Sequence, residues 1–298
     1  MRVSELGEFG LIRRLKTSIN LDSSVVRGPG DDCAAVKFNR SKYLLFTCDM
    51  LVEGVDFTGK DNPYLIGRKA LAVSLSDIAA CAGIPRYALV SVGLPRSTRL
   101  EYVDKLHQGM RGLARRYGVN LVGGDFSRSA KLTIDVSLTG EVEKRKLALR
   151  SGSKVGDIIF VSGTFGGSIR GKHLRFTPRL KEARWLADNF KVGAMIDVSD
   201  GLMQDLSHIL ESSRVGAVVY AGAIPLSPEA RNLNDALYSG EDFELLFTLS
   251  AAEARRLVRK GNKLFRPIGR IVLPSAGFSL VAENGCEKPV KPGGFRHF

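Results

Sequence analysis

Apolar runs broken at glycine and aspartate divide the chain into short strands and longer helical stretches. Residues 43–50, YLLFTCDM, form a continuous apolar run that predicts a buried strand ending on Asp49. The next helix is predicted to start at Asp61 as N-cap, with Pro63 just inside, and to run through LIGRKALAVSLSDIAACAG to Gly83. YALVSVGLP (87–95) reads as a strand, residues 97–117 have helical spacing, and NLVGGD (120–125) and LTIDVSLTGEV (132–142) are again strand-like. The stretch EKRKLALRSGSKVGD (143–157) is basic and poor in apolar runs, which marks a joint between residues 1–145 and 146–298. Beyond it, DIIFVSG opens a strand before the Gly-rich GTFGG loop, and a helix is expected near residues 179–190. A short strand AMIDVSDG and a helix LMQDLSHILES (202–212) follow. AVVYAGAI, DFELLFTL and FRPIGRIV supply further strands, with AAEARRLVRKG (251–261) as a basic helix between the last two. No internal repeat or low-complexity segment interrupts this order. The pattern predicts an α/β protein of two domains, each with a mixed sheet.

Composition narrows the class without choosing a function. The 298 residues are 44% hydrophobic and 25% charged, close to a globular average, so disordered and fibrous classes are excluded. No apolar run approaches the ~18 residues of a membrane span, and the opening MRVSELGEFGLIRRL mixes acids and bases too early for a secretory signal. Cys33, Cys48, Cys81 and Cys286 form no CxxC pair, which predicts a reduced, cytoplasmic setting. A net charge of +13, spread over both halves, raises nucleic acid or a phosphate-rich ligand as partner.

The informative feature is where the carboxylates fall. Asp31 and Asp32 follow Gly30 in GPGDD, Asp49 closes an apolar run, and Asp77 lies in an otherwise apolar helix. Asp125 follows two glycines, and Asp197 and Asp200 sit in DVSDG. Any one of these is as readily a turn or cap residue as a ligand. Together they would form a hard-oxygen site suited to Mg²⁺. The glycines of GPGDD, GGD, GTFGG and SDG let backbone N–H groups approach a polyanion, and SDGL leads into a helix N-terminus that favours phosphate. Carboxylates beside phosphates repel unless cations stand between them. That combination describes a Mg²⁺-dependent nucleotide enzyme without a dedicated phosphate loop. GGSIRGK (166–172) has the G-x-x-x-x-G-K spacing, but His173 stands where Ser or Thr is needed, so it reads as a basic loop. His107, His173, His208 and His297 have no zinc-site spacing, and His208 reads as a polar-face or packing residue. Cys48 and Cys81 read as buried, inert thiols, and EARRLVRK as a solvated face without the aromatics a nucleic-acid surface needs.

Nine motifs in order carry a family resemblance: GEFGLI (7–12), GPGDDCA (28–34), TCDMLVEGV (47–55), KALAVSLSDIAACAGIP (69–85), LVGGDFSR (121–128), LRSGSKVGD (149–157), IDVSDGL (196–202), SGEDFELLF (239–247) and GFRHF (294–298). They resemble the thiamine-monophosphate kinase family, in the superfamily of aminoimidazole ribonucleotide synthetase, selenophosphate synthetase and a hydrogenase maturation protein. The resemblance implies the two-domain synthetase fold, a homodimer, and Mg²⁺-dependent transfer of the ATP γ-phosphoryl to thiamine monophosphate, with neither nucleic acid nor membrane as partner. It implies metal ligands at Asp32, Thr47, Cys48 (through its backbone), Asp49, Asp77, Asp125, Asp197 and Asp200. ATP contacts are implied at Gly124, Asp125, Arg150 and Ser199, and substrate contacts at Asp56, Glu241 and Phe295, with Asp49, Asp125 and Arg150 carrying the catalysis. The chain departs from the family at Asp56, where His is usual, at Cys48 for Thr, at Phe126 in GGDF for GGDT, at Arg175-Phe176 for an Arg-Pro pair, and at Phe295 for Tyr or Trp. A selenophosphate synthetase would carry a reactive Cys in its N-terminal segment, whereas the first here is Cys33 within GDDCA. The hydrogenase relative would end in Cys, whereas this chain ends in His297-Phe298. A non-catalytic nucleotide- or RNA-binding module is the alternative from another class.

Overall fold

The apolar runs of the first half become six strands: β1 (Val25–Arg27), β2 (Ala34–Lys37), β3 (Lys42–Val52), β4 (Ile84–Leu94), β5 (Asn120–Arg128) and β6 (Thr133–Glu143). The computed structural model, which describes residues 2–295, orders them β1-β2-β3-β6-β4-β5, antiparallel except for the β4–β5 pair. Asp49 does not end its strand. β6 is long enough to pair Met50, Leu51 and Val52 with Asp135, Ile134 and Thr133, so β3 continues three residues further.

Four helices belong to this half: α1 (Val3–Leu6), α2 (Glu8–Lys16), α3 (Pro63–Ala80) and α4 (Leu100–Tyr117). The cap of α3 is Asn62 rather than Asp61: Asn62 Oδ1 accepts from the Tyr64 amide at 2.9 Å, while Asp61 accepts from the Thr58 amide and hydroxyl. The α3–α4 crossing is close because neither contact residue has a side chain. A Cβ on Gly67 would lie 1.9 Å from the Leu106 carbonyl oxygen, and one on Gly109 would lie 1.8 Å from that of Tyr64. Helix α3 is buried around most of its circumference, as an apolar helix between two layers must be.

The second half contributes β7 (Ile158–Ser162), β8 (Val192–Asp197), β9 (Gly216–Tyr220), β10 (Leu245–Leu249), β11 (Phe265–Val272), β12 (Phe278–Val281) and β13 (Glu287–Pro289). They form one sheet, β13-β12-β9-β11-β7-β10-β8, with β12–β9 as its parallel pair. Its helices are α5 (Leu180–Asn189), α6 (Leu202–Ser213), α7 (Leu233–Tyr238) and α8 (Ala251–Arg259). This sheet is covered on both faces. Phe160 and Phe247 join a core that runs through α3 to Leu45, Ile134 and Leu138 of the first sheet, while Ile159, Val161 and Leu246 face α6. The first sheet is covered on one face only: Phe46, Met50, Tyr87 and Leu89 stand exposed on the other. No helix of the described residues is long and apolar enough to cross a membrane. Helices α1, α2 and α7 and strands β1, β2, β12 and β13 were not predicted from the pattern, being short or lacking buried residues. His297 and Phe298 lie outside the described residues.

Candidate active site

A cleft of about 1080 Å³ opens between the two halves. Val73 and Asp77 of α3 line its floor, and Lys69, on the same face of the helix but buried beneath the cleft wall, stands about 12 Å from Asp77 along the helix. At the Asp77 end, the GPGDD turn delivers Asp32, β3 delivers Thr47 and Asp49, and the end of β8 delivers Asp197. Carboxylate oxygens of Asp32, Asp77 and Asp197 lie within 4.8 Å of one another. Helix α3 holds its neighbours in place through hydroxyls: Ser74 donates to Asp49 at 2.7 Å and Ser76 to Asp197 at 2.5 Å. Thr47 donates to Asp77.

Arg150 crosses from the joint segment, donating from Nε at 3.1 Å and Nη2 at 2.6 Å to the same oxygen of Asp32. The other oxygen, Asp32 Oδ2, is buried with no hydrogen-bond partner among the described residues. A buried carboxylate oxygen left bare is costly unless a cation satisfies it. Burial pushes Asp32 up to about 7 against the pull of Arg150, and lifts Asp49 and Asp197 to about 6 against their serine donors. Asp77 is pushed well above the ordinary carboxylate value by burial and then by Asp49 and Asp197. The donor set, all oxygen with one acceptor site open, fits a hard divalent cation.

The other end of the cleft is walled by the irregular segment before β10. Glu241 and Phe243 both take left-handed backbone, with φ of 58° and 50°, which costs roughly 1–2 kcal/mol each in a residue with a Cβ. Their amides donate to the Ser199 carbonyl at 2.6 Å and the Val198 carbonyl at 2.7 Å, so only residues from Leu245 onward form a strand. Both side chains thereby line the cleft. Phe295 joins them through its amide, which donates to the Asp200 carbonyl at 2.9 Å. Three expected motifs, 196–202, 239–247 and 294–298, meet here as far as they are described.

The remaining expected residues divide between the cleft and the surface of the first sheet. Cys48 lines the cleft, but its side chain is exposed, not buried: β-strand alternation turns Thr47 and Asp49 toward α3 and the Cys48 thiol away, where it contacts Asp135 at 3.2 Å. Gly124 and Asp125 lie on the exposed edge strand β5, three strand spacings or roughly 14 Å from β3, and do not line the cleft of the single chain. Asp56 is buried, its carboxylate accepting the Val52 amide at 2.7 Å while its residue lines the cleft. Asp200 and Ser199 line the cleft, but the amides of Asp200 and Gly201 already donate to Asp205, so the start of α6 is capped from within. Asp205 itself is pushed well up by burial and by Asp200. GGSIRGK forms two short 3₁₀ turns, with Lys172 turned in to the Thr164 carbonyl at 2.6 Å and Asp242 at 3.3 Å.

Several residues in or just behind the cleft wall were given no part in the site by the sequence. Phe9 of α2 packs on His208 with ring centroids 5.1 Å apart, and burial lowers that imidazole to about 4. Ser74 and Ser76 were read only as part of an apolar helix. Lys69 carried a usable signal, a charge beside Arg68 in the otherwise uncharged run LIGRKALAVSL, and its partner His173 did not.

Comparison with known proteins places this arrangement. Residues 30–142 match the AIR synthase related protein, N-terminal domain, and residues 138–276 match the corresponding C-terminal domain. The fold and its cleft therefore define a two-domain AIR synthase related protein. A thiamine-monophosphate kinase of Aquifex aeolicus is 34% identical over 327 aligned positions, covering 100% of each chain. That of Bacillus subtilis is 35% identical over 295, covering 89% of this chain and 90% of the other. The chain belongs to the thiamine-monophosphate kinase family. A solved structure described as AaThiL complexed with AMPPCP and TMP superposes with a TM-score of 0.87 at 33% identity, covering 100% of this chain and 99% of that one.

Proposed function

We propose that the protein is an ATP-dependent phosphotransferase that converts thiamine monophosphate and ATP to thiamine diphosphate and ADP. The observation that carries the reading is the convergence of Asp32, Asp77 and Asp197 beside Arg150, in a cleft whose far wall presents Glu241 and two phenylalanines. Asp32, Asp49, Asp77 and Asp197, with Asp200 nearby, are the residues that would hold Mg²⁺; the bare Asp32 Oδ2 supports this assignment. Bound there, Mg²⁺ supplies charge neutralisation between carboxylates and phosphates.

The chain's own residues then have a positioning task. The acceptor is a phosphate already ionised near neutral pH, so no group need remove a proton from it. Arg150, anchored on Asp32 and lining the cleft, adds fixed positive charge where the transferring phosphoryl builds negative charge. Ser74 and Ser76 fix the rotamers of Asp49 and Asp197, so little reorganisation is left for the reaction itself. Phe295 and Phe243 offer aromatic faces to the ring system of the acceptor, and Glu241 a fixed carboxylate.

We place the reaction in the cytoplasm, where the four free thiols stay reduced. We also propose a homodimer built on the open side of the first sheet. Phe46, Met50, Tyr87 and Leu89 on its face, with Val122 and Phe126 on edge strand β5, present an unpartnered apolar surface. Such a dimer also gives the exposed Gly124 and Asp125 a route to a nucleotide site. Sedimentation at the mass of two chains supports it, and a single-chain mass at assay concentration removes it. The function itself is tested by incubating the protein with Mg-ATP and thiamine monophosphate. Equal amounts of ADP and thiamine diphosphate are expected; ATP binding without thiamine diphosphate would contradict the reading.

A further inference from the structure

Lys69 is among the largest fully buried side chains of the described residues, and the phosphoryl transfer gives it no task. An ammonium is almost never taken wholly out of water unless its charge and its three N–H donors are matched. All are matched here. Lys69 Nζ donates to the Asp56 carbonyl at 2.7 Å, contacts His173 Nδ1 at 3.0 Å, and reaches both oxygens of Glu241 at 2.6 and 2.8 Å. His173 Nδ1 also lies 2.9 Å from Glu241 Oε2. Lys69 comes from α3 in the first half, and Glu241 and His173 from two loops of the second. One ammonium therefore ties together three segments around the Glu241 end of the cleft.

The partner is not an ordinary structural carboxylate. Glu241 keeps 18% of its side chain exposed, lines the cleft, and is held on left-handed backbone. Its carboxylate has about four acceptor positions, and the two contacts from Lys69 and the one from His173 leave one for a ligand. A glutamate free to rotate at this wall would have other rotamers and nearby water to choose from. Lys69 and His173, neither of which lines the cleft, remove that choice.

We propose that Lys69 is a positioning residue for the acceptor substrate: with His173, it fixes the Glu241 carboxylate so that it receives the amino-bearing, positively charged heterocycle of that substrate. The inference rests on the phosphotransferase reading and on Glu241 facing the acceptor. It assigns Lys69 no contact with the substrate and no part in ATP binding.

The test is a double-mutant cycle on the full chain, with Lys69→Gln, Glu241→Gln and the pair, checked for folding by circular dichroism. Binding of thiamine monophosphate and of a non-hydrolysable ATP analogue is measured by titration calorimetry. Lys69→Gln should weaken thiamine monophosphate by about tenfold, the size of one hydrogen bond to a charged group, and leave the ATP analogue within about twofold. The double variant should lose no more than Glu241→Gln alone, because Lys69 acts through that carboxylate. Equal weakening of both ligands, multiplicative losses in the pair, or unchanged binding in a folded Lys69→Gln would overturn the proposal. Should Lys69→Gln not fold, His173→Gln enters the same cycle, and a folded His173→Gln with unchanged acceptor binding counts against the proposal equally. If the unmodified protein itself binds no thiamine monophosphate, the functional reading fails instead.

Discussion

At one end of the cleft Asp32, Asp49, Asp77 and Asp197 crowd together, with Arg150 bound to Asp32; at the other, one carboxylate, Glu241, has a buried lysine and a histidine pressed against it. The physical result is opposite in sign. Burial and mutual repulsion raise the aspartates, Asp32 to about 7 and Asp49 and Asp197 to about 6, whereas His173 and Lys69 pull Glu241 below its ordinary value despite burial. The first end is electrostatically incomplete and calls for cations from solution. The second is complete within the chain. A site that must assemble a metal–nucleotide complex and also recognise a fixed organic ring needs both conditions, about two helical turns apart on α3.

The comparison is broken most severely by Asp49→Asn. It should lower turnover by about 10³-fold, the several kcal/mol expected when charge stabilisation at the phosphoryl is disturbed, while the fold is retained by circular dichroism. A non-catalytic binding module would tolerate the change. Glu241→Gln acts at the other end through stability as well as binding. It leaves Lys69 buried without its counter-charge, and a loss of about 3 kcal/mol in urea unfolding is expected. Asp77→Asn should do the reverse in metal-free protein: it relieves repulsion, keeps an acceptor for Thr47, and should add about 1 kcal/mol at pH 8 while abolishing the response of melting temperature to Mg²⁺. Removing a carboxylate thus destabilises one end and stabilises the other.

The pH dependence sharpens the same contrast with a smaller effect. The raised aspartates hold protons in the native chain that the unfolded chain has released, so their favourable contribution is full below the unfolded value near 4. It is lost as pH rises through about 6 to 7. In EDTA the melting temperature should fall by a few degrees between pH 5 and pH 8, and Mg²⁺ should restore more at pH 8 than at pH 5. Glu241 contributes with the other sign, its share being lost only toward acid pH, below its unfolded value. A melting temperature insensitive to both pH and Mg²⁺ would mean that the aspartates are not the charge-deficient cluster described here.

How much of this was legible before the structure depends on what kind of signal each residue sends. The aspartates stood out because charges in apolar runs are expensive, and Asp32, Asp77 and Asp197 do converge. Strand alternation was equally available and would have turned Cys48 away from Asp49, since neighbours on a strand face opposite sides. The rest needed three dimensions. His173 sits in a loop with no periodicity, and its meeting with Lys69 spans 104 residues. The left-handed turns at Glu241 and Phe243 shorten an expected strand by three residues, and no propensity argument places two such turns at non-glycine positions. Asp125 shows the opposite limit: its motif was clear, yet it lies on an edge strand outside the cleft of one chain.

The most direct measurement follows the transferred group itself. With ATP labelled at the γ-phosphorus, thiamine monophosphate and Mg²⁺, the label should appear in the terminal phosphate of thiamine diphosphate, in step with ADP, and disappear from the product when EDTA is added. Label released only as orthophosphate, or thiamine diphosphate formed equally well without divalent cations, would contradict the account.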